Sequence, residues 1–370
     1  MNKIKVVYIV STLGRTGPTR QLHNIIKYLD VNLFSAAIIT LSPNPIDNLE
    51  QEFLEIGIPI HNLRLSRLWS VILGKRKLTR ILKQLQPDIV HSQGLRSDLL
   101  ATQLRGKFNS VSTQRNNPLS DYPALMGSIK GTIAARLHVW AFNRLPLIVT
   151  CSKDINNTNV NRTHTTKVIH NGVDLSSLTS RLTTEEKVTK RAQLNLPIDG
   201  RLFIYAGPLI ARKNIIMLLE AFINLEAKID NLVILGDGYL KNECQLLASG
   251  KNNIFIPGSV QNVSDYLHAS DIFITASHSE GMPNAVLEAL AAGLPVLLSD
   301  IGSHNEILSH SPTAGWLFPT NNRAILTDYL MKVSTTPERQ ESARQLAQNH
   351  FDAHQMSTEY QNVYRELYPL

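Results

Sequence analysis

The chain is 370 residues long, beyond the usual size of one domain, and the sequence therefore predicts two domains. Hydrophobic residues form 43% of it and charged residues 18%, which is typical of a soluble globular protein with a sizeable core. No run reaches the roughly 18 consecutive apolar residues of a membrane span. The two cysteines, Cys151 and Cys244, have neither metal-binding nor redox spacing. These features argue against an integral membrane protein and favour a reducing cytoplasm.

The charge is unevenly distributed along the chain. The net charge of +7 divides into +13 for residues 1–184 and −6 for residues 185–370. A basic first half predicts an anionic partner for that half. Aromatic residues make up only 6% and RNA-binding signatures are absent, so nucleic acid is disfavoured. An anionic membrane surface is the favoured partner.

Strand-like apolar runs alternate with helical patterns through the first half. Strands are predicted at residues 4–10, 36–41, 58–60, 88–91, 110–115, 147–152 and 167–170. The first strand leads into a glycine-containing loop and a helix, a unit in which the loop is suited to hold a ligand. The candidate loop residues are Gly14, Thr16, Gly17 and Arg20. Two glycines do not make a dinucleotide fingerprint, and an ordinary turn is an equal alternative.

Three further candidates follow strand ends, where open α/β sheets bind ligands. His91 ends the strand at 88–91, although a hydrogen-bonded core histidine is as reasonable there. Arg115 and Asn116 end the strand at 110–115.

Two basic helical stretches lie in the same half. Residues 66–86 contain six basic residues and a tryptophan, namely Arg67, Trp69, Lys75, Arg76, Lys77, Arg80 and Lys83. Residues 130–144 contain Arg136, Trp140 and Phe142. In residues 66–86, basic residues together with a tryptophan and several aliphatic residues indicate an interfacial amphipathic helix, with a solvated charged face as the alternative.

The strand–helix pattern restarts after a polar, charged segment at 176–200, which is predicted to be a linker. Strands are predicted at 201–207, 231–235, 253–257, 271–275, 295–299 and 315–318, and helices at 322–334, 337–349 and 356–367. Alternation through both halves predicts an α/β protein with two Rossmann-like, doubly wound parallel-sheet domains facing across a cleft. The predicted domains are residues 1–180 and 181–350, with a C-terminal helix at 351–370 packing back on the first domain.

The second half places polar loops at the carboxyl ends of its strands, which share one edge of a parallel sheet. These loops contain adjacent cations, Arg212 and Lys213, and a glycine turn that opens a helix near Gly281. Carboxylates follow at Glu280 and Glu288. Cations and a helix N-terminus suit a diphosphate, while the acids suit sugar hydroxyls. An exposed Arg–Lys pair and a Glu288 that reaches solvent or another element are the alternatives.

Taken in order, these motifs resemble the retaining glycosyltransferases of the GT-B fold, family 4, over nearly the whole chain. The segment from Glu280 to Glu288 is similar to the E-x7-E motif of that family. Other matching segments are residues 14–20, 88–91, 168–174, 206–214 and 235–238.

The resemblance implies a nucleotide-diphospho-sugar donor bound by the second domain and an acceptor bound by the first. It gives Lys213, with Arg212, to the diphosphate and Glu280 to the donor sugar, and these three are the predicted catalytic residues. Glu288 is assigned to the ribose. The remaining donor-binding residues are Gly207, Asp237, Gly238, Gly281, Met282, Pro283 and Asn284.

Three positions depart from the family pattern. Gly207-Pro208-Leu209 stands where Gly-Arg-Leu is usual, so Arg212 is expected to supply the missing arginine. Arg115 stands where a histidine near the donor sugar is common; it cannot be a general base, but it suits a donor carboxylate or an acceptor phosphate. Gly302-Ser303 replaces a common Gly-Gly.

The sequence therefore predicts a retaining, metal-independent glycosyltransferase without a cofactor, in the cytoplasm at the inner face of the cell membrane. It is expected to move a hexose or N-acetylhexosamine from a UDP- or GDP-sugar to a lipid-linked saccharide in O-antigen or capsule synthesis. A sugar-nucleotide epimerase of the same fold and a non-catalytic sugar-nucleotide-binding protein are the alternatives. Oligomeric state is left open.

Overall fold

The structure, a computed structural model, describes residues 3–66, 69–158, 165–178, 182–225 and 230–368. It divides into two compact units. The first comprises the chain up to Gly172 together with Ala353 onward, and the second comprises Val173–Asp352. The predicted boundaries were residues 180 and 350, which lie eight residues after the first division and two residues before the second.

The first unit is built on a parallel sheet of seven strands in the order β3-β2-β1-β4-β5-β6-β7. The strands are β1 (Ile4–Val10), β2 (Phe34–Thr40), β3 (Ile60–Asn62), β4 (Ile89–Gln93), β5 (Asn109–Gln114), β6 (Leu147–Thr150) and β7 (Thr165–Val168). Its helices are α1 (Gly17–Lys27), α2 (Glu50–Glu55), α3 (Trp69–Leu85), α4 (Leu95–Thr102), α5 (Pro118–Met126), α6 (Ser128–Phe142) and α7 (Lys153–Asn157).

The second unit is built on a parallel sheet of six strands in the order β10-β9-β8-β11-β12-β13. The strands are β8 (Leu202–Ala206), β9 (Asn231–Leu235), β10 (Ile254–Gly258), β11 (Ile272–Thr275), β12 (Val296–Ser299) and β13 (Gly315–Phe318). Its helices are α8 (Thr184–Gln193), α9 (Ile215–Ile223), α10 (Lys241–Leu247), α11 (Val263–Ala269), α12 (Asn284–Ala291), α13 (Gly302–Ser309), α14 (Arg323–Lys332) and α15 (Pro337–His350). The prediction of two parallel-sheet α/β domains is confirmed.

Each sheet is covered by helices on both faces, which is why its strands are continuous apolar runs rather than alternating ones. In the first unit, Val6 and Tyr8 belong to one core layer, and Val7 and Ile9 belong to the opposite layer. All four side chains are at most 1% exposed. The pleat of β1 therefore supplies both cores at once.

The last helix, α16 (Ala353–Leu367), belongs to the first unit. It lays Tyr360 and Tyr364, both fully buried, against the core of β1 and β4. The Tyr364 hydroxyl lies 3.1 Å from that of Tyr8, and the Ser357 hydroxyl donates to the Ile25 carbonyl at 2.7 Å. Helix α16 and strand β1 therefore contribute to the same core of the first unit.

The predicted linker at 176–200 is wrong for most of its length. Helix α8 begins at a capping box of Thr183 and Glu186 and packs within the second unit. Arg191 is 5% exposed and donates to the Asp271 carboxylate at 2.6 Å. The polar composition of this segment therefore reflects buried ion pairing of this kind, and not a flexible connection. Residues 179–181 lie outside the described part of the chain.

The predicted interfacial helix at 66–86 is also different in the structure. In the part of α3 whose side chains are described, Leu78 and Leu82 are fully buried in the core of the first unit, so the apolar face of that part is turned to its own sheet. Its charged side is exposed, which is the solvated face given as the alternative. Arg67 and the Trp69 side chain lie outside the described residues. Among the helices described, none is long and apolar enough to cross a membrane.

Candidate functional sites in the two units

The strand order of the second sheet reverses between β8 and β11, and such a switch point is where open α/β sheets bind ligands. The loops that follow these two strands carry the predicted donor residues. The backbone N–H of His278 donates to the Arg212 carbonyl at 2.9 Å, so the two loops are joined directly.

A buried charge cluster occupies this point. Lys213 and Arg212 both contact the Glu280 carboxylate, the latter at 3.2 Å from Nη1 to Oε2. The Ser277 hydroxyl donates to Glu280 Oε1 at 2.8 Å. The side chains of Lys213 and Glu280 are 13% and 7% exposed. The three predicted catalytic residues are therefore brought together by the fold.

The protonation state of Glu280 follows from this cluster. Burial alone would raise its pKa, but the charges of Lys213 and Arg212 outweigh it and lower the pKa to about 2. Glu280 is thus a carboxylate at any physiological pH and carries no proton to donate. Arg212 Nε is buried and has no hydrogen-bond partner among the described residues, so it remains able to bind an anion.

The loops after β8 and β9 run side by side and form one wall of the site. Gly207 N donates to the Leu235 carbonyl and Leu209 N to the Asp237 carbonyl, each at 2.9 Å. A Cβ atom on Gly236 would lie 1.9 Å from the Gly207 carbonyl oxygen, which explains the glycine there. The Asp237 carboxylate accepts from Lys241 and from the Gly238 N–H, each at 2.7 Å, and so stabilises the turn.

The E-x7-E segment enters α12 at this edge. Gly281, Met282 and Pro283 are buried, so their contribution to a ligand is through the backbone. Asn284 is the first residue of α12, and Glu288 lies one turn further along. Pro283, at the N-cap position, forms no side-chain cap, and the first N–H groups of α12 have no acceptor within the helix.

His304, which was not predicted, adjoins the cluster. It is fully buried on α13, and its Nδ1 lies 2.7 Å from the Ser299 carbonyl. Since a carbonyl only accepts, Nδ1 carries the proton and Nε2 is an acceptor. Nε2 and the Ser303 hydroxyl have no partner in the described part of the chain. Burial lowers the His304 pKa to about 4, partly offset by the Glu280 charge. No sequence signal separates His304 from an ordinary core histidine.

In the first unit, the strand order reverses between β1 and β4, and a cavity of about 230 Å³ opens there. It lies at the carboxyl ends of β1, β4 and β5 and the start of α1. The lining residues are Val10, Ser11, Thr12, Thr16, Pro18, Thr19, Leu22, Gln93, Gly94, Thr113, Gln114, Arg115, Asn116 and His138.

Arg115 is the charged group that distinguishes this cavity. Its Nη1 donates to Asn171 Oδ1, but its Nε and Nη2 are buried with no hydrogen-bond partner among the described residues. No carboxylate within those residues forms an ion pair with it. Arg115 lines the cavity, and a guanidinium without an ion-pair partner among the described residues is suited to a carboxylate or phosphate oxygen pair.

The other first-unit candidates divide into lining and structural residues. Thr16 and Asn116 line the cavity, and Gly17 opens α1 beside it. Gly14 bridges to Asn48, and Arg20 pairs with Glu52, so both stabilise the loop instead of lining the cavity.

His91 is not available to a ligand, which corrects its assignment to the acceptor side. Its Nδ1 contacts the Tyr364 hydroxyl and its Nε2 the Thr113 hydroxyl, both at 2.8 Å. Burial, followed by the Arg115 charge, lowers its pKa to about 3. It is the hydrogen-bonded core histidine given as the alternative.

Two family descriptions match the chain, one per half. "Glycosyltransferase Family 4" matches residues 15–177, and "Glycosyl transferases group 1" matches residues 186–350.

Curated relatives agree with these matches. The O-antigen biosynthesis glycosyltransferase WclY of Escherichia coli is 25% identical over 99% of both chains. The putative teichuronic acid biosynthesis glycosyltransferase TuaC of Bacillus subtilis is 41% identical over 35% of this chain, which is 32% of its own length. The UDP-Gal:alpha-D-GlcNAc-diphosphoundecaprenol alpha-1,3-galactosyltransferase of E. coli is 31% identical over 45% of this chain and 44% of its own.

A solved structure shares the fold over the full length. HepE of Anabaena, in complex with UDP-glucose, superposes with a TM-score of 0.82 at 16% identity and covers 98% of this chain and 99% of its own.

Proposed function

The chain belongs to the group 1 glycosyltransferases of family 4, and from that premise we propose that it transfers a hexose or N-acetylhexosamine with retention of configuration. The donor is a UDP- or GDP-sugar bound by the second unit. The acceptor is a lipid-linked saccharide bound by the first unit, in the synthesis of a bacterial surface polysaccharide.

The cluster of Arg212, Lys213 and Glu280 carries the donor assignment. Two cations and the N-terminus of α12 neutralise the diphosphate, with the orphaned Arg212 Nε available to one of its oxygens. Glu280 is held as an anion beside them and accepts hydrogen bonds from the donor sugar. Glu288, one turn along α12, accepts from the ribose hydroxyls.

The chemical step follows from these charges. A bond forms between the acceptor oxygen and the anomeric carbon as the bond from that carbon to the phosphate oxygen breaks. The electron pair leaves with the nucleoside diphosphate, whose charge is stabilised by Lys213 and Arg212. The acceptor hydroxyl gives its proton to the departing phosphate oxygen, on the same face. Glu280, with its pKa near 2, takes no part in the proton transfer.

Relatives support the choice of substrates. HepE is solved with UDP-glucose, and the E. coli galactosyltransferase uses UDP-Gal with a diphosphoundecaprenol-linked sugar. Arg115 suits the same chemistry, because a lipid diphosphate acceptor offers phosphate oxygens to its two unsatisfied N–H groups.

Metal independence is part of the proposal. Within the described residues, no three His, Cys, Asp or Glu side chains converge as ligands. The two cations and the helix N-terminus supply the charge that a metal supplies elsewhere. Because the proposed acceptor is lipid-linked, the proposal places catalysis at the cytoplasmic face of the membrane.

A panel of nucleotide sugars tests the donor. A donor that binds only the folded protein raises its melting temperature, and transfer to a diphosphoundecaprenol-linked sugar in the presence of EDTA is then followed by mass spectrometry. Donor binding without transfer or hydrolysis would contradict the proposal that the protein is an enzyme. Formation of an epimerised nucleotide sugar would show an epimerase instead of a transferase.

Arg115→Gln separates the acceptor site from the donor site. The variant should raise the KM for a diphosphate-linked acceptor by about tenfold or more, since a charge-assisted bidentate contact is lost. The melting shift produced by UDP should stay as in the wild type. An unchanged acceptor KM together with weakened binding of an acidic sugar donor would move Arg115 to the donor side.

A further inference from the structure

Helix α6 is apolar on two opposite faces. Its inner face contributes Ala134, Ala135, Ala141 and Phe142, all buried. Its outer face exposes Ile129, Ile133, Leu137 and Trp140, which are 77%, 56%, 45% and 43% accessible. These four recur at helical spacing and form a single stripe. Apolar side chains on an outer face as well as an inner one indicate that the outer face also has an apolar partner.

Helix α5 packs against α6 and carries three further exposed apolar side chains. Leu119, Leu125 and Met126 are 56%, 60% and 52% exposed. Seven of the sixteen exposed large apolar side chains among the described residues thus lie within 118–144. This concentration exceeds the scattered apolar residues that any protein surface carries. We call these seven side chains the α5–α6 stripe.

The exposed charged side chains within 118–144 are all basic. Lys130, Arg136 and Arg144 are exposed, and the Arg144 guanidinium lies 3.9 Å from the ring centre of Trp140. The single acid within 118–144 is Asp121, which is buried at 5% exposure. Apolar side chains bordered by cations, with a tryptophan at the margin, match the interface of an anionic bilayer.

The inner face of α6 links the stripe to the first-unit cavity. His138 lines the cavity, and its Nε2 contacts the buried Asp98 carboxylate at 2.7 Å. Its Nδ1 contacts the Tyr122 hydroxyl of α5 at 2.7 Å. The two helices are thereby joined to α4, whose Asp98 carboxylate also accepts from Ser92 of β4 and Ser112 of β5. The stripe and the cavity lie on opposite sides of one helix, about 10 Å across.

We propose that the α5–α6 stripe docks this protein on an anionic lipid bilayer and so brings the cavity containing Arg115 to the headgroup region. Supply of a lipid-linked acceptor to that cavity rests on the proposed function, whereas docking does not. Side chains such as Ile133 and Leu137 enter the acyl boundary, and the three cations contact lipid phosphates.

Two alternatives fit less well: a second copy of the chain on the same stripe, and membrane binding through a different surface. A second copy packed symmetrically on the same stripe would place Lys130, Arg136 and Arg144 of both copies together, which is repulsive. Among the described side chains, the groove of Lys75, Arg76, Arg80, Lys83 and Lys107 offers charge without exposed apolar residues, because Leu78 and Leu82 of α3 are buried. Charge alone gives weak, salt-sensitive attraction.

Flotation of the full chain with liposomes tests the proposal. Vesicles of phosphatidylcholine with phosphatidylglycerol are compared with pure phosphatidylcholine. The wild type should float with the anionic vesicles, and the double variant Ile133→Gln/Leu137→Gln should bind at least about tenfold more weakly, because two buried apolar side chains are lost. The matched control is Leu246→Gln, which changes a side chain 77% exposed on α10 and should float as the wild type does.

Two results would overturn the docking surface. In the first, the double variant Ile133→Gln/Leu137→Gln floats as well as the wild type, and Lys75→Glu/Arg80→Glu abolishes flotation instead. The other is light scattering that shows a wild-type dimer and a monomeric double variant, since a second copy would then cover the stripe. All variants should keep the wild-type melting temperature and its shift with UDP. Flotation uses no nucleotide sugar, so its failure is distinct from failure of the transferase assay.

Discussion

The Glu280 carboxylate contributes to activity through its charge and position. Its neighbours Lys213 and Arg212 are both cationic donors that contact the carboxylate. Replacing Glu280 by glutamine removes the negative charge but keeps the size of the side chain. Glu280→Gln should lower kcat by about 10²–10³-fold, the range found for loss of one preorganised electrostatic group. Binding of UDP, measured by calorimetry, should be retained because both cations are then free for the diphosphate.

Glu288→Gln is the matched comparison on the same motif. Since Glu288 is assigned to the ribose, its amide should weaken UDP binding while kcat changes little. Equal effects of the two substitutions on kcat and on UDP affinity would refute the separate roles given to these carboxylates.

His304 should make the second unit sensitive to mild acid. Its pKa is about 4 in the folded protein against 6.5 when exposed, so between these values the unfolded chain binds a proton that the folded chain excludes. Its contribution to stability is therefore complete above pH 6.5 and is lost as the pH falls towards 4. Between pH 7.5 and 5 the loss is about 2 kcal/mol.

Urea unfolding at these two pH values measures this effect. In His304→Asn the difference between the two midpoints should shrink, whereas the exposed His278→Asn should behave as the wild type. His91 acts in the same direction in the first unit, with its pKa near 3. An unaltered pH dependence in His304→Asn would mean that His304 is protonated in the folded protein.

At the scale of elements, the paired loops after β8 and β9 determine the shape of the donor wall. Gly236→Ala places a methyl carbon 1.9 Å from the Gly207 carbonyl oxygen, at a backbone φ of +139°. The loops must separate, and we expect a loss of at least about 2 kcal/mol in unfolding free energy together with weakened UDP binding. Urea midpoints and UDP melting shifts measure both.

Gly250→Ala provides the control for backbone strain. Gly250 also has positive φ, at +74°, but a Cβ there meets nothing within 4 Å. It should cost only about 1 kcal/mol and leave UDP binding intact. If both alanines cost the same, close approach of the two loops is not what requires Gly236.

At the scale of the whole molecule, the first unit depends on the chain's last helix. Removing residues 353–370 strips Tyr360 and Tyr364 from the core and leaves the His91 and Tyr8 polar groups without their partners. The first unit should lose its cooperative unfolding transition, while the second unit, which is continuous in sequence from 173 to 352, should keep its own. Differential scanning calorimetry and limited proteolysis distinguish the two units.

Tyr364→Phe is the conservative counterpart of that truncation. It keeps the ring and removes the hydroxyl that contacts His91 at 2.8 Å, so about 1–3 kcal/mol should be lost and both transitions should persist. A truncated chain with both transitions intact would show that α16 adds little to the first unit.

The sequence by itself determined the sheets and the donor edge. Buried parallel strands are short apolar runs, so β1, β9 and β13 were located within a residue or two from local pattern alone. Because such strands end at one edge, adjacency of Arg212, Lys213 and Glu280 followed from chain order.

Only the tertiary structure decided which polar and apolar side chains are satisfied. His91 and His304 are alike as local sequence, yet His91 has partners on both nitrogens, whereas His304 Nε2 has no hydrogen-bond partner among the described residues. The outer face of α6 and the inner face of α3 are equally apolar in pattern, but Leu78 is covered and Ile133 is not. Covering and hydrogen bonding are supplied by residues distant in the chain, such as Tyr364 to His91, and local periodicity contains no information about them.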